Sequence, residues 1–166
     1  SELKGKPLII GGHSERGVVA SCSYEARHFG VRSAMPIKMA LQLCPQAKVL
    51  RGDMELYSNQ SKIVTSILQE ESPLLEKASV DEFYIDVTGL DRFFGCYKWT
   101  NQLAHRITKE TGLPISFGLS INKTVAKIAT SESKPEGRFE VLQKAVKPFL
   151  FPLPVSKIPM LGQSTA

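Results

Sequence analysis

The stretch Ser79-Val80-Asp81-Glu82-Phe83-Tyr84-Ile85-Asp86 decides how this chain is interpreted. Side chains alternate between the two faces of a β-strand, so Glu82, Tyr84 and Asp86 share one face while Asp81, Phe83 and Ile85 share the other. We expect the apolar residues to pack against helices. Two adjacent carboxylates can converge only where a turn interrupts this alternation, and the start of a hairpin strand is such a place.

A converging Asp81 and Glu82 would suit Mg²⁺, an ion that takes oxygen ligands and keeps several waters. Two such ions about 3.5–4 Å apart can activate a hydroxyl and stabilise a leaving pyrophosphate. A solvated acidic turn is the alternative interpretation, and for the Asp-Glu pair alone it is the commoner case. For Asp86 we expect a structural hydrogen bond or exposure to water.

The sequence around this stretch predicts an α+β arrangement. A helix over about 55–70, ended by Pro73, precedes a short strand and the strand over 81–88. A helix that includes Trp99, a strand over 115–120, a helix capped by Asn122 and a last strand follow. Residues 54–142 therefore run helix, strand, strand, helix, strand, helix, strand. This order indicates a palm-type, ferredoxin-like antiparallel or mixed sheet with two helices on one face.

The first third of the chain predicts a small, mostly helical subdomain. Short strands over 8–10 and 17–22 precede a helix over 24–29 that Gly30 closes, and a second helix begins near Pro36. We predict three parts: a subdomain of residues 1–53, a catalytic subdomain of residues 54–146, and a connector of residues 147–166.

The amino-acid composition indicates a folded protein and gives no sign of a membrane span, a signal peptide or a disulfide framework. The chain has 166 residues, of which 42% are apolar, enough for a folded core. It has no run of about 20 apolar residues and starts with a polar segment, so we expect neither a membrane span nor a signal peptide. Its three cysteines have no C-x-x-C spacing, which favours free thiols in a reducing cytoplasm.

The net charge of +5 is distributed unevenly along the chain. Residues 1–51 carry +5, residues 52–120 carry −4 and residues 121–166 carry +4. An acidic middle between basic flanks fits a metal site beside a phosphate-binding surface. An ordinary solvated surface explains the same distribution.

Several basic side chains are candidates for binding phosphate. Tyr24 and Arg27 are three residues apart and share one helix face, where a hydroxyl and a guanidinium could both donate to a triphosphate. Lys134 could supply a further cation. Lys123 and Lys127, four apart on the preceding helix, are explained equally well as a solvated helix face.

Taken together, these segments resemble the Y-family (translesion) DNA polymerases, nearest the DNA polymerase IV-like branch. Residues 17–36, GVVASCSYEARHFGVRSAMP, resemble the fingers signature of that family, and residues 79–88, SVDEFYIDVT, resemble its palm motif. Residues 118–129 together with 133–137 resemble the segment that carries its Lys-Pro-x-Gly turn. Residues 158–162 resemble the start of its thumb, although Met160 stands where the family usually has Gly.

The resemblance implies a role for each matching residue. Asp81 and Glu82 would be catalytic and would ligate two Mg²⁺ ions. The incoming nucleotide would be bound by Ala20, Ser21, Tyr24, Arg27 and Lys134, the first two lying under the nascent base pair and the others holding its phosphates. The implied reaction is template-directed DNA synthesis past damage, with primer–template DNA and deoxynucleoside triphosphates as partners. A sliding clamp is a further candidate partner, through C-terminal regions outside this sequence.

The same resemblance implies that two parts of the family's active protein are absent from these 166 residues. One is a strand before Ser1 with another metal-binding Asp and an aromatic residue that screens out ribonucleotides. The other comprises the thumb and little-finger domain after Ala166. We therefore expect residues 1–166 alone to bind metal weakly and to show no polymerase activity, whereas the parent protein is active.

Two other functions compete with this interpretation. A nucleotidyl cyclase also carries an acidic pair on a palm-like hairpin, but that family usually has two Gly where Ser79 and Val80 stand here. A non-catalytic relative that binds DNA or a protein partner is the second alternative. The presence of Asp81, Glu82 and Tyr24 with Arg27 argues against such a degenerate site.

Overall fold

The computed structural model describes residues 2–12, 17–72, 74–92 and 95–161. The chain divides into two compact units, Ser1–Leu56 and Tyr57–Ala166. Among the described residues, none of the helices has the length and apolar character that crossing a membrane requires. Two features of the sequence analysis, the helix end at Pro73 and the motif position Gly162, lie outside the described residues.

The first unit is a small three-stranded sheet with two short helices. Its elements are β1 (Leu8–Gly11), β2 (Val19–Cys22), α1 (Tyr24–His28), α2 (Ile37–Leu43) and β3 (Lys48–Leu50). The strand order is β2-β1-β3, with β2 antiparallel and β3 parallel to β1. The sequence predicted β1, β2 and both helices, but it did not predict β3, so this part contains more sheet than expected.

A compact core holds the first unit together. Ile9 of β1 and Val19 of β2 are buried with Ala26 of α1 and Ala40 of α2. Small alanines at these positions let both helices lie close to the sheet. The sheet therefore provides a rigid support for the exposed residues of β2 and α1.

The second unit contains the remaining helices and strands. They are α3 (Met54–Glu71, which begins at the unit boundary), β4 (Leu75–Lys77), β5 (Phe83–Ile85), α4 (Cys96–Thr111), β6 (Phe117–Ser120), α5 (Lys123–Ser133), β7 (Arg138–Val141) and α6 (Val146–Leu150). From α3 to β7 this is the predicted order, and the α+β class is confirmed. The segment predicted as a connector contains most of α6.

The strands of the second unit are hydrogen-bonded in two pairs. The strands β4 and β5 form an antiparallel hairpin, and β6 and β7 are parallel. The strand predicted over 81–88 is shorter than expected. It begins only after a bend at residues 79–81 and ends before Asp86, whose Oδ1 accepts a hydrogen bond from the Thr88 N–H at 2.9 Å.

The hairpin packs its apolar face on the two long helices. Val64, Ile67 and Leu68 of α3 form a buried cluster with residues of α4, and Phe83 and Ile85 of β5 pack against it. The two residues are partly buried there, which confirms the predicted packing against the helices. The opposite face of the hairpin is consequently free to carry polar residues.

The helix α5 lies very close to β6. A Cβ atom added at Gly118 would come within 2.7 Å of the Thr130 N atom, so only glycine permits this approach. Asn122 caps the helix as predicted, because its Oδ1 accepts a hydrogen bond from the Val125 N–H at 2.9 Å. Close packing and a defined start therefore set the position of α5 on its sheet.

Candidate active site

The acidic pair lies in the turn that joins β4 to β5. The N–H groups of Ala78 and Ser79 both donate to the Glu82 carbonyl, at 3.0 and 3.2 Å, and so close the turn just before β5. Asp81 is part of the bend and Glu82 follows it. The bend thus lies at the predicted place, directly before the hairpin strand, while the convergence of the two carboxylates stays a prediction.

Ser79 organises this acidic turn. Its Oγ donates to Asp81 Oδ1 at 2.7 Å, and the N–H groups of Asp81 and Glu82 donate back to the same Oγ at 3.3 and 3.1 Å. One hydroxyl thus orients both the backbone and a carboxylate oxygen. The Asp81 side chain remains exposed, so its carboxylate can bind an ion that arrives from solvent.

The polar face of the hairpin meets two lysines of α5. In the hairpin register Glu76 lies opposite Tyr84, so both share a face with Glu82. Lys127 pairs with both carboxylate oxygens of Glu82. One turn earlier, Lys123 pairs with Glu76 and lies 5.6 Å from the centre of the Tyr84 ring.

The environment of Lys127 favours its charged form. The hydrogen bond to Glu82 is the largest influence, and it raises the pKa of the Lys127 ammonium above its ordinary value. Partial burial acts in the opposite direction, while the negative charge of Asp81 adds a smaller upward influence. Lys127 therefore belongs to the acidic site, which the sequence analysis missed because the four-residue spacing alone also fits a solvated helix face.

Asp86 lies outside this arrangement. Its Oδ1 accepts a hydrogen bond from the Thr88 N–H, and hydrogen bonding to Thr88 lowers the pKa of the Asp86 carboxyl. This confirms the structural hydrogen bond expected from the sequence.

The acidic turn contains carboxylate oxygens, which are the type of ligand that a hard divalent cation prefers. Asp81 and Glu82 are adjacent in the chain and both carry carboxylate oxygens; Asp81 is exposed and Glu82 is half-buried. No cluster of three or more Asp, Glu, His or Cys side chains that could hold a metal occurs among the described residues. Two carboxylates alone could supply only part of a coordination shell.

The first unit presents the predicted nucleotide-binding residues on β2 and α1. Ser23 caps α1 by accepting a hydrogen bond from the Ala26 N–H at 3.3 Å. Tyr24 and Arg27 lie together as predicted, with the guanidinium carbon 5.8 Å from the centre of the Tyr24 ring. The Arg27 Nε donates to the Cys22 carbonyl at 3.4 Å, which steadies the side chain against the end of β2.

The remaining predicted residues are at the surface. Ala20 and Ser21 are exposed on β2, an edge strand of its sheet. Lys134 is exposed at the C-terminal end of α5, seven residues after Lys127. Seven residues are about two helical turns, so the two lysines lie along one side of the helix.

Met160, where the resembling family usually has Gly, has a positive φ of 68°. The Leu161 N–H donates to the Ile158 carbonyl at 3.2 Å, which closes a turn with Pro159 second and Met160 third. That pattern is a type II turn, whose third position favours glycine. Met160 therefore adopts a backbone conformation that favours glycine, and it does so at a steric cost.

Comparison with known families agrees with these motifs. A family model described as the impB/mucB/samB family matches residues 1–131. The chain belongs to this family. The chain also resembles curated proteins named DNA polymerase IV. It is 46% identical to that of Treponema denticola over 99% of this chain and 42% of the relative, and 43% identical to that of Dehalococcoides mccartyi over 99% and 43%.

Solved structures show the same relationship. The impB/mucB/samB chain superimposes on DinB from Sulfolobus solfataricus with a TM-score of 0.88 and 32% identity, over 98% of this chain and 49% of that one. An insertion ternary complex of Dbh DNA polymerase gives 0.85 and 31%, over 98% and 49%. The resemblance to Y-family polymerases is thus confirmed. The chain spans less than half the length of the relatives it matches.

Proposed function

We propose that the protein containing this chain carries out template-directed DNA synthesis past damaged bases. The observation that carries the proposal is the Ser79-organised turn, which orients the Asp81 carboxylate and holds the backbone of Glu82 directly after it. Similarity to proteins named DNA polymerase IV over 99% of the chain supports the same reaction. The reaction class is nucleotidyl transfer with release of pyrophosphate.

Asp81 and Glu82 would hold Mg²⁺ in this reaction. Bound divalent ions would supply Lewis-acid activation of the attacking hydroxyl and stabilisation of the leaving group. The chain's own contribution is to orient the two carboxylates. Ser79 does this for Asp81, and Lys127 contacts both carboxylate oxygens of Glu82.

The incoming nucleotide would be bound by the surface residues already described. Arg27 and Tyr24, held together on α1, would donate to the phosphates, and Lys134 would add a further positive charge. Ala20 and Ser21 are small and exposed, so they would leave room below the nascent base pair for an altered template base.

The substrates and partners follow from the same proposal. They are primer–template DNA and deoxynucleoside triphosphates, with a sliding clamp as a further partner of the whole protein. Residues 1–53 would form the fingers, 54–146 the palm, and 147–166 the link to the thumb. The three free cysteines fit a cytoplasmic location.

Primer extension on undamaged and abasic templates tests the proposal. The protein encoded by the longest natural reading frame that contains residues 1–166 should extend a primer on both templates. Replacing Asp81 by Asn or Glu82 by Gln should reduce extension roughly 100-fold or more, because stabilisation of transition-state charge by several kcal/mol depends on them. Asp86→Asn is the matched control and should keep near-normal activity.

The polypeptide of residues 1–166 should show no detectable extension by itself, since the part of the chain that the structure describes has no cluster of three or more side chains that could hold a metal ion. If the protein encoded by that longest reading frame still extends primers after Asp81→Asn, the assigned site is refuted. Cyclisation of GTP without any primer would favour a nucleotidyl cyclase, and DNA binding without either reaction would favour a non-catalytic relative.

A further inference from the structure

The contact between Lys127 and Glu82 has a consequence for metal binding. Both oxygens of the Glu82 carboxylate accept hydrogen bonds from the Lys127 ammonium. A divalent ion would need at least one of these oxygens. The lysine and the ion therefore compete for the same carboxylate.

We propose that Lys127 is a positioning residue that holds Glu82 while no divalent ion is bound and releases it when an ion binds. This inference rests on the proposed function, because it needs Asp81 and Glu82 to be metal ligands. Lys127 thus acts as an internal counterion. It keeps the carboxylate aligned in the turn and at the same time weakens the affinity of the site for metal.

The arrangement of the hairpin and α5 determines which lysine contacts which glutamate. Glu82 shares the polar face of the hairpin with Glu76, and each glutamate meets one lysine of α5. Lys123 and Lys127 are one helical turn apart, so the helix presents both to the hairpin in register. The lysine that meets the metal-ligating glutamate is Lys127, and its neighbour holds a glutamate outside the acidic turn.

The two ion pairs differ in shielding. The Lys127 and Glu82 side chains are 31% and 43% exposed, whereas those of Lys123 and Glu76 are 59% and 56% exposed. Charges that are less exposed interact more strongly because water screens them less. Lys127 therefore influences its carboxylate more than Lys123 influences Glu76.

Removing the charge of Lys127 should tighten metal binding. Affinity for Mn²⁺, used as the probe, would be measured from the electron paramagnetic resonance signal of the free ion, titrated into the 166-residue chain. Lys127→Met keeps most of the length of the side chain and removes the ammonium. We expect Mn²⁺ affinity to rise about threefold to fivefold, the range expected for a partly exposed ion pair.

Lys123→Met is the matched control. It removes the same charge from the same helix one turn away, and it should leave Mn²⁺ affinity within about twofold. Lys127→Arg keeps the charge and should not tighten binding. If Lys127 only held α5 in place, Lys127→Met would loosen the site and weaken the affinity, which is the opposite of the proposal.

The unmodified chain offers a second readout that needs no variant at Lys127. Nuclear magnetic resonance of the lysine ammonium groups during a Mg²⁺ titration should show the Lys127 signal change as Glu82 is released. The Lys123 signal should remain constant. A Lys127 signal that stays constant while Mg²⁺ saturates the site would overturn the inference.

The outcomes separate this inference from the proposed function. If Asp81→Asn leaves Mn²⁺ binding unchanged, the metal site is wrong and both proposals are overturned. If Asp81→Asn weakens binding but Lys127→Met leaves it unchanged or weaker, the metal site stands and the role of Lys127 is refuted.

Discussion

Replacing Gly118 by Ala should destabilise the second unit markedly. The added Cβ would lie 2.7 Å from the Thr130 N atom and 2.9 Å from the Ala129 Cβ, and it would overlap the Ala126 carbonyl oxygen. Two of these three atoms belong to the backbone of α5, so no side-chain rotation relieves the overlap. The helix has to move, and we expect a loss of about 2–3 kcal/mol in the free energy of unfolding, the upper part of the range for overpacking.

Urea unfolding followed by tryptophan fluorescence measures this loss. The chain has one tryptophan, Trp99, which packs against the core of α3 and α4 and so reports on the second unit. With a slope of about 2 kcal/mol per M, the midpoint should fall by roughly 1–1.5 M. Gly112→Ala is the control, because Gly112 has open space around it and a φ of 72°.

The control should lose only about 1 kcal/mol, the cost of a left-handed conformation for alanine. The two variants therefore separate steric overlap from backbone strain. If Gly118→Ala costs no more than Gly112→Ala, the close approach of α5 to β6 does not hold the unit together, and the reasoning is refuted.

Two further predictions concern a carboxylate and a turn. Hydrogen bonding to Thr88 lowers the pKa of Asp86, so its contribution to stability is present above the unfolded pKa of about 3.9 and is lost as pH falls through the lower folded value. Urea unfolding between pH 3 and 6 should therefore depend less on pH after Asp86→Asn, and an unchanged dependence would contradict this assignment. Met160→Gly should stabilise its turn and slow amide hydrogen exchange of Leu161 about threefold. Met160→Ala is the control and should leave this exchange unchanged. Equal exchange rates in the two variants would show that the positive φ carries no cost.

The order of elements from α3 to β7 could be predicted because several boundaries have a local signal. Gly112 closes α4 in the left-handed conformation, and Asn122 caps α5 with its own side chain. The alternation of Phe83 and Ile85 with polar residues likewise predicted which face of β5 is buried. Such signals lie within a few residues of the feature they determine, so one sequence is enough to recognise them.

The features that could not be predicted depend on contacts between distant parts of the chain. The strand β3 has three residues and is stabilised by pairing with β1, with Leu8 opposite Lys48. A segment that short has no periodicity of its own to recognise. For the same reason, the sequence predicts the sheet of the second unit only as antiparallel or mixed. Register there depends on the packing of α5 and of the hairpin rather than on either strand alone.

The acidic site combines both kinds of feature. The turn that carries Asp81 and Glu82 is local, because Ser79 and the backbone close it within four residues. The partner of Glu82 is Lys127, 45 residues away on α5, the helix that Gly118 allows to lie close to β6. A methyl group at Gly118 should therefore move the lysine as well as destabilise the unit, so the glycine, which has no side chain to bind an ion, still affects how firmly Glu82 is held.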